Sequence, residues 1–271
     1  YDESGNLIKS IDETKNVETL YQYDSDGQMI SYQSKVGGKD YLSQKNSYNG
    51  NGKRIIRQEK GIKTSYYYQN ESLLMTKNGE NQLDSFYYLG SNGTPISVMQ
   101  MNGETARYYT FQKDMRGSTQ AVIDNNGKCA EWYEYSDFGE TTIHKENEDF
   151  MNQICYTGGV YDSSTELYYL NARYYDSGIG RFLTCDSYRG EAERTETLNL
   201  YVYCASNPIS YVDPSGHFFD IAIDIVSIGW SVYDMINDPS FKNAACVAYD
   251  IGAAILPYVP GSKTYTVIDK S

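Results

Sequence analysis

Residues that bind metals or close disulfide bonds are scarce in this chain. Its 271 residues include two histidines, His144 and His217, and five cysteines, no two of which have CxxC spacing. Isolated histidines do not supply the ligand sets that zinc requires, and an odd number of cysteines cannot pair completely. The sequence therefore predicts no metal site, no cofactor and no complete set of disulfide bonds.

Positive charge is also scarce. There are 23 lysines and arginines against 36 aspartates and glutamates, which gives a formal net charge of −13. Without a basic stripe the chain cannot neutralise phosphates, so nucleic acid and anionic membranes are not expected as direct partners. The sequence also lacks the hydrolase nucleophile elbow, the phosphate-binding loop, the HExxH motif and the kinase motifs. These absences leave most enzyme classes without support.

Tyrosine, by contrast, is abundant, with 29 residues. Aromatic anchors recur along the first half of the chain, at Tyr1, Tyr23, Tyr48, Tyr68, Tyr88, Tyr109 and Tyr135. Several precede a turn sequence and then an apolar pair, as in YDESGN before Leu7-Ile8. An Asp or Asn that binds its own backbone, followed by Gly, is typical of a hairpin turn. Because a lone hairpin is marginal in water, the repeats are expected to pair into one antiparallel β-sheet over residues 1–140.

The pattern changes after Gly216. From Phe218 to Ile236 the polar residues follow helical spacings of four, three, four and three, and the other positions are almost all apolar. A second apolar helix is expected from Asn243 to Leu256, before Pro257. Three aspartates in the first segment make its insertion into a membrane costly. We therefore predict a C-terminal α-helical hairpin, packed against the sheet or inside it, rather than a membrane span.

The block from Leu170 to His217 carries the most specific motifs. It reads LNARYYDSGIGRF, then TCDS, and then LNLYVYCASNPISYVDPSGH. This block resembles the core of RHS/YD-repeat proteins, and the upstream segments DMRGS and YEYSDFG resemble a second recurrent part of that core. The resemblance covers about residues 1–217. It implies a mainly β fold, the end of a spiral or cocoon-like β-shell around a C-terminal toxin.

The same resemblance implies partners and a location. The partners would be the protein's own enclosed toxin segment, an immunity protein and a delivery machinery, and the protein would be secreted or on the cell surface. The chain opens within a repeat, and only about ten residues follow Gly261, too few for a toxin domain of ordinary size. It is therefore expected to be a piece of a longer protein that carries the toxin elsewhere.

The resemblance also assigns residues to a reaction. In similar proteins, self-cleavage is attributed to the arginine of the RYY motif, an aspartate further along and the aspartate of DPxG. These roles fall on Arg173, Asp186 and Asp213, and the bond cut would join His217 to Phe218. Two carboxylates that share a proton can act as base and acid on either side of a peptide bond.

Two positions differ from the family pattern. Ser187 follows Asp186 where the family has proline, and His217 stands where the family has leucine or methionine. Considered locally, Asp213 is an ordinary turn residue, Asp186 a turn residue or helix cap, and Arg173 an arginine stacked on tyrosine rings. Both interpretations of these side chains remain open.

Three hypotheses about function follow. The first is a structural one: the C-terminal part of a shell that encapsulates and helps deliver a toxin. The second is an aspartyl autoprotease that releases the segment after His217. The third is cell-surface adhesion or carbohydrate binding through tyrosines exposed on the sheet.

The expected domains follow the changes in sequence pattern. They are a YD-repeat sheet (1–140), a core with the autoprotease motif (141–217) and a helical linker (218–271). The stretch from Thr141 to Asn152 is poor in aromatic residues. It is expected to be an exposed loop.

Overall fold

The computed structural model describes residues 1–91, 93–186, 198–213 and 216. Within these residues, thirteen antiparallel strands form one large sheet in which each strand pairs with its neighbours in sequence. The strands are β1 Lys9–Asp12, β2 Val17–Tyr23, β3 Met29–Val36, β4 Lys39–Tyr48, β5 Arg54–Glu59, β6 Ile62–Gln69, β7 Ser72–Lys77, β8 Leu83–Leu89, β9 Pro95–Asn102, β10 Thr105–Lys113, β11 Thr119–Asp124, β12 Cys129–Tyr135 and β13 Thr141–Lys145. The predicted repetitive antiparallel sheet is confirmed.

A second, smaller antiparallel sheet follows. Its strands are β14 Val160–Asp162, β15 Leu167–Leu170, β16 Arg173–Asp176 and β17 Arg181–Phe182. Two short 3₁₀ turns, Tyr156–Gly158 and Cys204–Ser206, flank it in sequence. The described part of the chain is therefore mainly β, as predicted.

The turns between repeats share one hydrogen-bonding pattern. The Asp24 carboxylate accepts hydrogen bonds from the backbone N–H groups of Asp26 and Gln28 at 3.0 and 2.9 Å, and Gly27 adopts a φ of 75°. The same two hydrogen bonds, donated by the backbone N–H groups of the second and fourth residues after the turn residue, recur at Asp2, Asn49, Asn78, Asp114 and Asp124. The side chain thus closes each turn locally, which is why a short sequence motif specifies it.

Tyrosine hydroxyls connect successive turns. Four of the predicted anchors donate a hydrogen bond to the main-chain carbonyl at or near the start of the preceding strand: Tyr23 to Leu7 at 2.9 Å, Tyr48 to Met29 at 2.7 Å, Tyr68 to Arg54 at 2.8 Å and Tyr135 to Thr119 at 2.6 Å. We call these four bonds the tyrosine ladder. Each ring covers apolar surface while its hydroxyl binds a carbonyl group, so one residue type serves both needs.

The small sheet and the segment that precedes it pack on one face of the large sheet. The Tyr66 hydroxyl of β6 binds the Gln153 side chain at 3.0 Å, and the Thr119 hydroxyl at the start of β11 binds the carbonyl of Ile154 at 2.6 Å. We call this face of the large sheet the inner face and the opposite one the outer face. The main core of buried tyrosines and aliphatic residues lies at the inner face.

One local prediction is wrong. The stretch from Thr141 to Asn152 was expected to be an exposed loop, but its first five residues form β13, which pairs with β12. The neighbouring strand supplies the hydrogen bonds that hold it, so a lack of aromatic residues did not indicate a loop. The large sheet therefore extends past residue 140, while the division into three domains remains a prediction.

The C-terminal α-helical hairpin predicted for residues 218–271 lies outside the described residues, as does the His217–Phe218 bond. Among the residues that the structure describes, no helix has the length and hydrophobicity to span a membrane.

Candidate functional site

The structure brings the three predicted site residues together. Arg173 begins β16, Asp186 follows β17, and Asp213 lies far along the chain. All three residues are nevertheless buried, with 6%, 6% and 3% of their surface exposed. The Arg173 Nη2 atom is 2.6 Å from Asp186 Oδ2 and 4.0 Å from Asp213 Oδ2. One guanidinium therefore faces two carboxylates in a largely water-free environment.

The backbone around Leu200 fixes the arginine and the first aspartate. The carbonyl of Leu200 accepts hydrogen bonds from Arg173 Nη1 at 3.1 Å and from the backbone N–H of Asp186 at 2.9 Å. The ring of Phe182 lies 3.6 Å from the guanidinium carbon. The side chain of Arg173 is thus held from several directions, which gives it one defined position.

Gly216 connects the other aspartate to the same arginine. Its N–H donates to Asp213 Oδ1 at 2.8 Å, and its carbonyl accepts from Arg173 Nε at 2.5 Å. Its φ is 75°, and a Cβ atom there would lie 2.2 Å from the carbonyl oxygen of Leu170. Only glycine fits this position. The residue before the predicted cleavage site is therefore bound directly by the arginine.

Burial and charge act in opposite directions on Arg173. Burial lowers the pKa of its guanidinium, and the neighbouring carboxylates of Asp186 and Asp213 oppose that effect. An arginine remains protonated under such a shift, because its ordinary pKa is far above neutrality. The site therefore keeps a fixed positive charge between two aspartates. Their catalytic role remains a prediction.

Sequence reasoning missed a second buried charge cluster. Arg54, the first residue of β5, forms an ion pair with Asp162, the last residue of β14, and neither side chain is exposed. Arg57 Nη1 and Gln44 Nε2 bind the same carboxylate at 2.7 and 2.9 Å, and Arg54 also donates to the Tyr174 hydroxyl at 2.6 Å. This cluster joins the inner face of the large sheet to the small sheet.

The charge cluster determines the ionisation of its carboxylate. Burial alone would raise the pKa of Asp162, but Arg54 and Arg57 together outweigh it and lower the pKa to about 2. The carboxylate is therefore ionised at any ordinary pH. With its oxygens bound by arginines and an amide, Asp162 serves to hold the two sheets together.

A sequence signal for this cluster existed. Leu7 and Met29 are the fifth residues after the turn residues Asp2 and Asp24, and both are buried and apolar. Arg54 occupies the same position after the turn at Asn49. A charged residue at the buried position of a repeat requires a buried partner. The identity of that partner could not be read from the repeat.

Known proteins resemble this chain over most of its length. The family model described as Teneurin YD-shell matches residues 1–209. The tRNA nuclease WapA of Bacillus subtilis is 30% identical over 236 residues, which are 86% of this chain and 10% of that protein. Teneurin-3 of Danio rerio is 26% identical over 226 residues, which are 80% of this chain and 8% of that protein. The chain thus spans about a tenth or less of the length of these relatives.

Solved structures show the same fold. The Tc holotoxin pore of Photorhabdus luminescens superposes with a TM-score of 0.62 at 22% identity, over 82% of this chain and 11% of that chain. The crystal structure of TcdB2-TccC3-Cdc42 gives a TM-score of 0.58 at 23% identity, over 75% of this chain and 10% of that chain. The predicted YD-repeat shell architecture is thereby confirmed. The chain belongs to the Teneurin YD-shell family.

Proposed function

We propose that this chain forms the end of a YD-repeat shell that encloses a toxin and helps to deliver it. The observation that carries this proposal is the seating of the small sheet on the inner face of the repeat sheet through the Arg54–Asp162 cluster. A wall with a second element fixed to one face is what the closed end of a container requires. The nuclease and holotoxin names of the related proteins support a toxin as the enclosed cargo.

The proposal includes partners, a location and a division of labour along the chain. The cargo would be the protein's own C-terminal toxin segment, an immunity protein would protect the producing cell, and a delivery machinery would bring the shell to its target. The protein would act outside the cell or at its surface. Residues 1–140 would supply wall, residues 141–217 the core that closes it, and residues 218–271 a helical linker to the cargo.

Electron microscopy of the protein as its gene encodes it tests the shell. We expect a closed, hollow β-structure whose wall includes β1 to β13 and whose interior contains extra density. A solid sandwich, or an open sheet with both faces in water, would contradict the proposal.

We propose self-cleavage as a second function, and the Arg173 site is the observation that favours it. A water would lose a proton to one aspartate as its oxygen bonds the carbonyl carbon of His217, and the other aspartate would protonate the nitrogen of Phe218 as the C–N bond breaks. Arg173 binds the carbonyl of the residue before His217, so it would hold the chain in position for this attack.

Intact-mass measurement of the purified protein tests self-cleavage. We expect the wild type to yield a fragment that ends at His217, and Asp186→Asn and Asp213→Asn to remain full length. Asp26→Asn, a change at an exposed turn residue, is the control and should cleave like the wild type. A wild type that stays intact for days at several pH values would refute cleavage but leave the shell proposal standing.

A further inference from the structure

A row of apolar side chains crosses the outer face of the large sheet. The strand register places five residues directly opposite one another on five neighbouring strands, in the order Tyr67, Met75, Phe86, Met99 and Tyr108. The sequence neighbours Tyr66, Tyr87 and Tyr109 are buried on the inner face, so the row points the other way. Of the two end residues, Tyr67 is 38% exposed and Tyr108 49% exposed. We call these five residues the aromatic row.

Another line of the strand register on the outer face is polar, and it meets β6 at Lys63, four residues before Tyr67. The register there aligns Gln22, Ser31, Lys45, Gln58 and Lys63 across β2 to β6. These side chains also face away from the buried inner positions. Polar side chains of this kind are sufficient to keep an outer face soluble. The aromatic and methionine side chains that share one line on β6 to β10 therefore need another explanation.

The strands that carry the rings of the aromatic row are evenly spaced. An aromatic residue occupies every second strand, and methionine occupies the strands between. Neighbouring strands lie about 4.8 Å apart, so the backbone positions that carry successive rings are separated by about 9.6 Å. Tyr88 packs edge-on against Phe86 at 5.2 Å between ring centroids, and the Lys77 amine lies 5.5 Å from the centroid of Tyr67. These contacts limit the rotation of two of the three rings.

We propose that the aromatic row binds a single chain of β-1,4-linked N-acetylglucosamine units. The spacing of the rings is close to the length of two sugars in such an extended chain, so every second sugar can place its C–H face on a ring. The row carries no charge in a protein whose net charge is −13, which matches an uncharged partner and not an acidic polysaccharide.

The methionines distinguish between neutral sugars. Met75 and Met99 lie between the rings, where the alternate sugars of the bound chain pass. Their flexible thioether side chains offer apolar contact to the methyl of an acetamido group. A glucan would place hydroxyl groups there, which would lose water without gaining a hydrogen-bond partner from methionine. The row therefore favours the acetylated chain over its glucose counterpart.

The twist of the sheet distinguishes a free chain from a crystalline surface. Neighbouring strands rotate by roughly 20–25°, so consecutive rings are turned by about twice that angle. Rings turned in this way cannot all lie on a flat crystal face. They can follow a soluble chain, because each glycosidic linkage rotates independently.

Calorimetric titration of the full chain with chitohexaose tests the proposal. We expect measurable binding, weaker binding of cellohexaose, and a loss of about fivefold to tenfold in affinity for Tyr108→Ala and for Phe86→Ala. Tyr41→Ala removes a tyrosine that is 68% exposed on β4, away from the row, and should bind like the wild type. Circular dichroism of each variant verifies that the fold is retained.

Four outcomes would overturn the proposal. The first is no binding heat at millimolar chitohexaose. The second is equal binding of cellohexaose, and the third is an equal loss in the Tyr41→Ala control. The fourth is a dimer in sedimentation analysis that Tyr108→Ala dissociates while no oligosaccharide binds, because the row would then be a contact between two copies of the chain. None of these measurements depends on self-cleavage or on an enclosed toxin.

Discussion

At the scale of single residues, the position of a charged side chain within the repeat decides whether it is buried and needs a buried partner. Arg54 occupies a position that two other repeats fill with the buried apolar side chains of Leu7 and Met29, and it is itself fully buried. A buried arginine is tolerated when its charge is balanced, and Asp162 and the Tyr174 hydroxyl bind the two terminal nitrogens of its guanidinium. The charge therefore links two parts of the chain that an apolar residue would leave free to separate.

Removal of the carboxylate should destabilise the fold strongly. Asp162→Asn leaves Arg54 and Arg57 buried without a counter-charge, and breaking such a pair costs about 3–5 kcal/mol. Urea denaturation measures the loss. Glu18→Gln breaks the half-exposed pair with Lys9 and serves as a control, with a much smaller expected loss because solvent screens the pair. Equal losses in the two variants would show that the charge cluster does not hold the sheets together.

A second buried carboxylate should make stability depend on pH. Burial raises the pKa of Glu131 in β12, despite hydrogen bonds from Tyr133 and Asn152 and the ion pair with Lys145. A carboxyl group whose pKa is higher in the folded state stabilises the fold at low pH and loses that contribution as the pH rises through the raised value.

Glu131→Gln retains the shape of the side chain without the charge. We therefore expect its melting temperature to exceed that of the wild type at pH 7, with a difference that shrinks toward pH 4. Glu104→Gln, at an exposed turn, should show no such trend. A variant that is less stable than the wild type at pH 7 would mean that ionised Glu131 is favourably bound.

At the scale of elements, the tyrosine ladder ties four of the hairpins to the turns that precede them. Its hydroxyls bind carbonyl groups that lie at or next to the starts of strands and would otherwise need water or another donor. The ladder explains why tyrosine, and not phenylalanine, occupies these anchor positions.

Loss of one ladder bond should have a modest but measurable cost. Tyr48→Phe and Tyr135→Phe retain the ring and remove the hydroxyl, so each should lower the free energy of unfolding by about 1 kcal/mol. Tyr41→Phe, at an exposed ring, should change it by less than about 0.5 kcal/mol. Chemical denaturation measures all three. A negligible effect at Tyr48 and Tyr135 would show that water replaces the hydroxyl.

At the scale of the whole molecule, the two sheets should unfold together. The small sheet is bound to β5 through Asp162, and the segment just before it is bound to β6 through Gln153 and to the start of β11 through Ile154. Contacts distributed so widely couple the stability of both parts. Hydrogen exchange followed by mass spectrometry should show β5 and β14 losing protection at the same denaturant concentration. Earlier exchange in β14 would indicate an independently unfolding small sheet.

The amino-acid sequence by itself determined the repeating hairpins. A turn aspartate and the two N–H groups it binds lie within four residues of one another, so the motif and its structure coincide. The family resemblance indicated Arg173, Asp186 and Asp213. It did not reveal that the Leu200 carbonyl and Gly216 hold them in place, because those contacts depend on how distant segments pack.

Only the tertiary structure decided which partners the buried charges find and which side chains share the outer face. Arg54 and Asp162 are 108 positions apart in sequence, and the aromatic row exists because five strands align in one register. Local periodicity indicates whether a side chain faces inward or outward. It contains no information about which distant side chain will lie opposite, because the packing of the two sheets decides which residues meet.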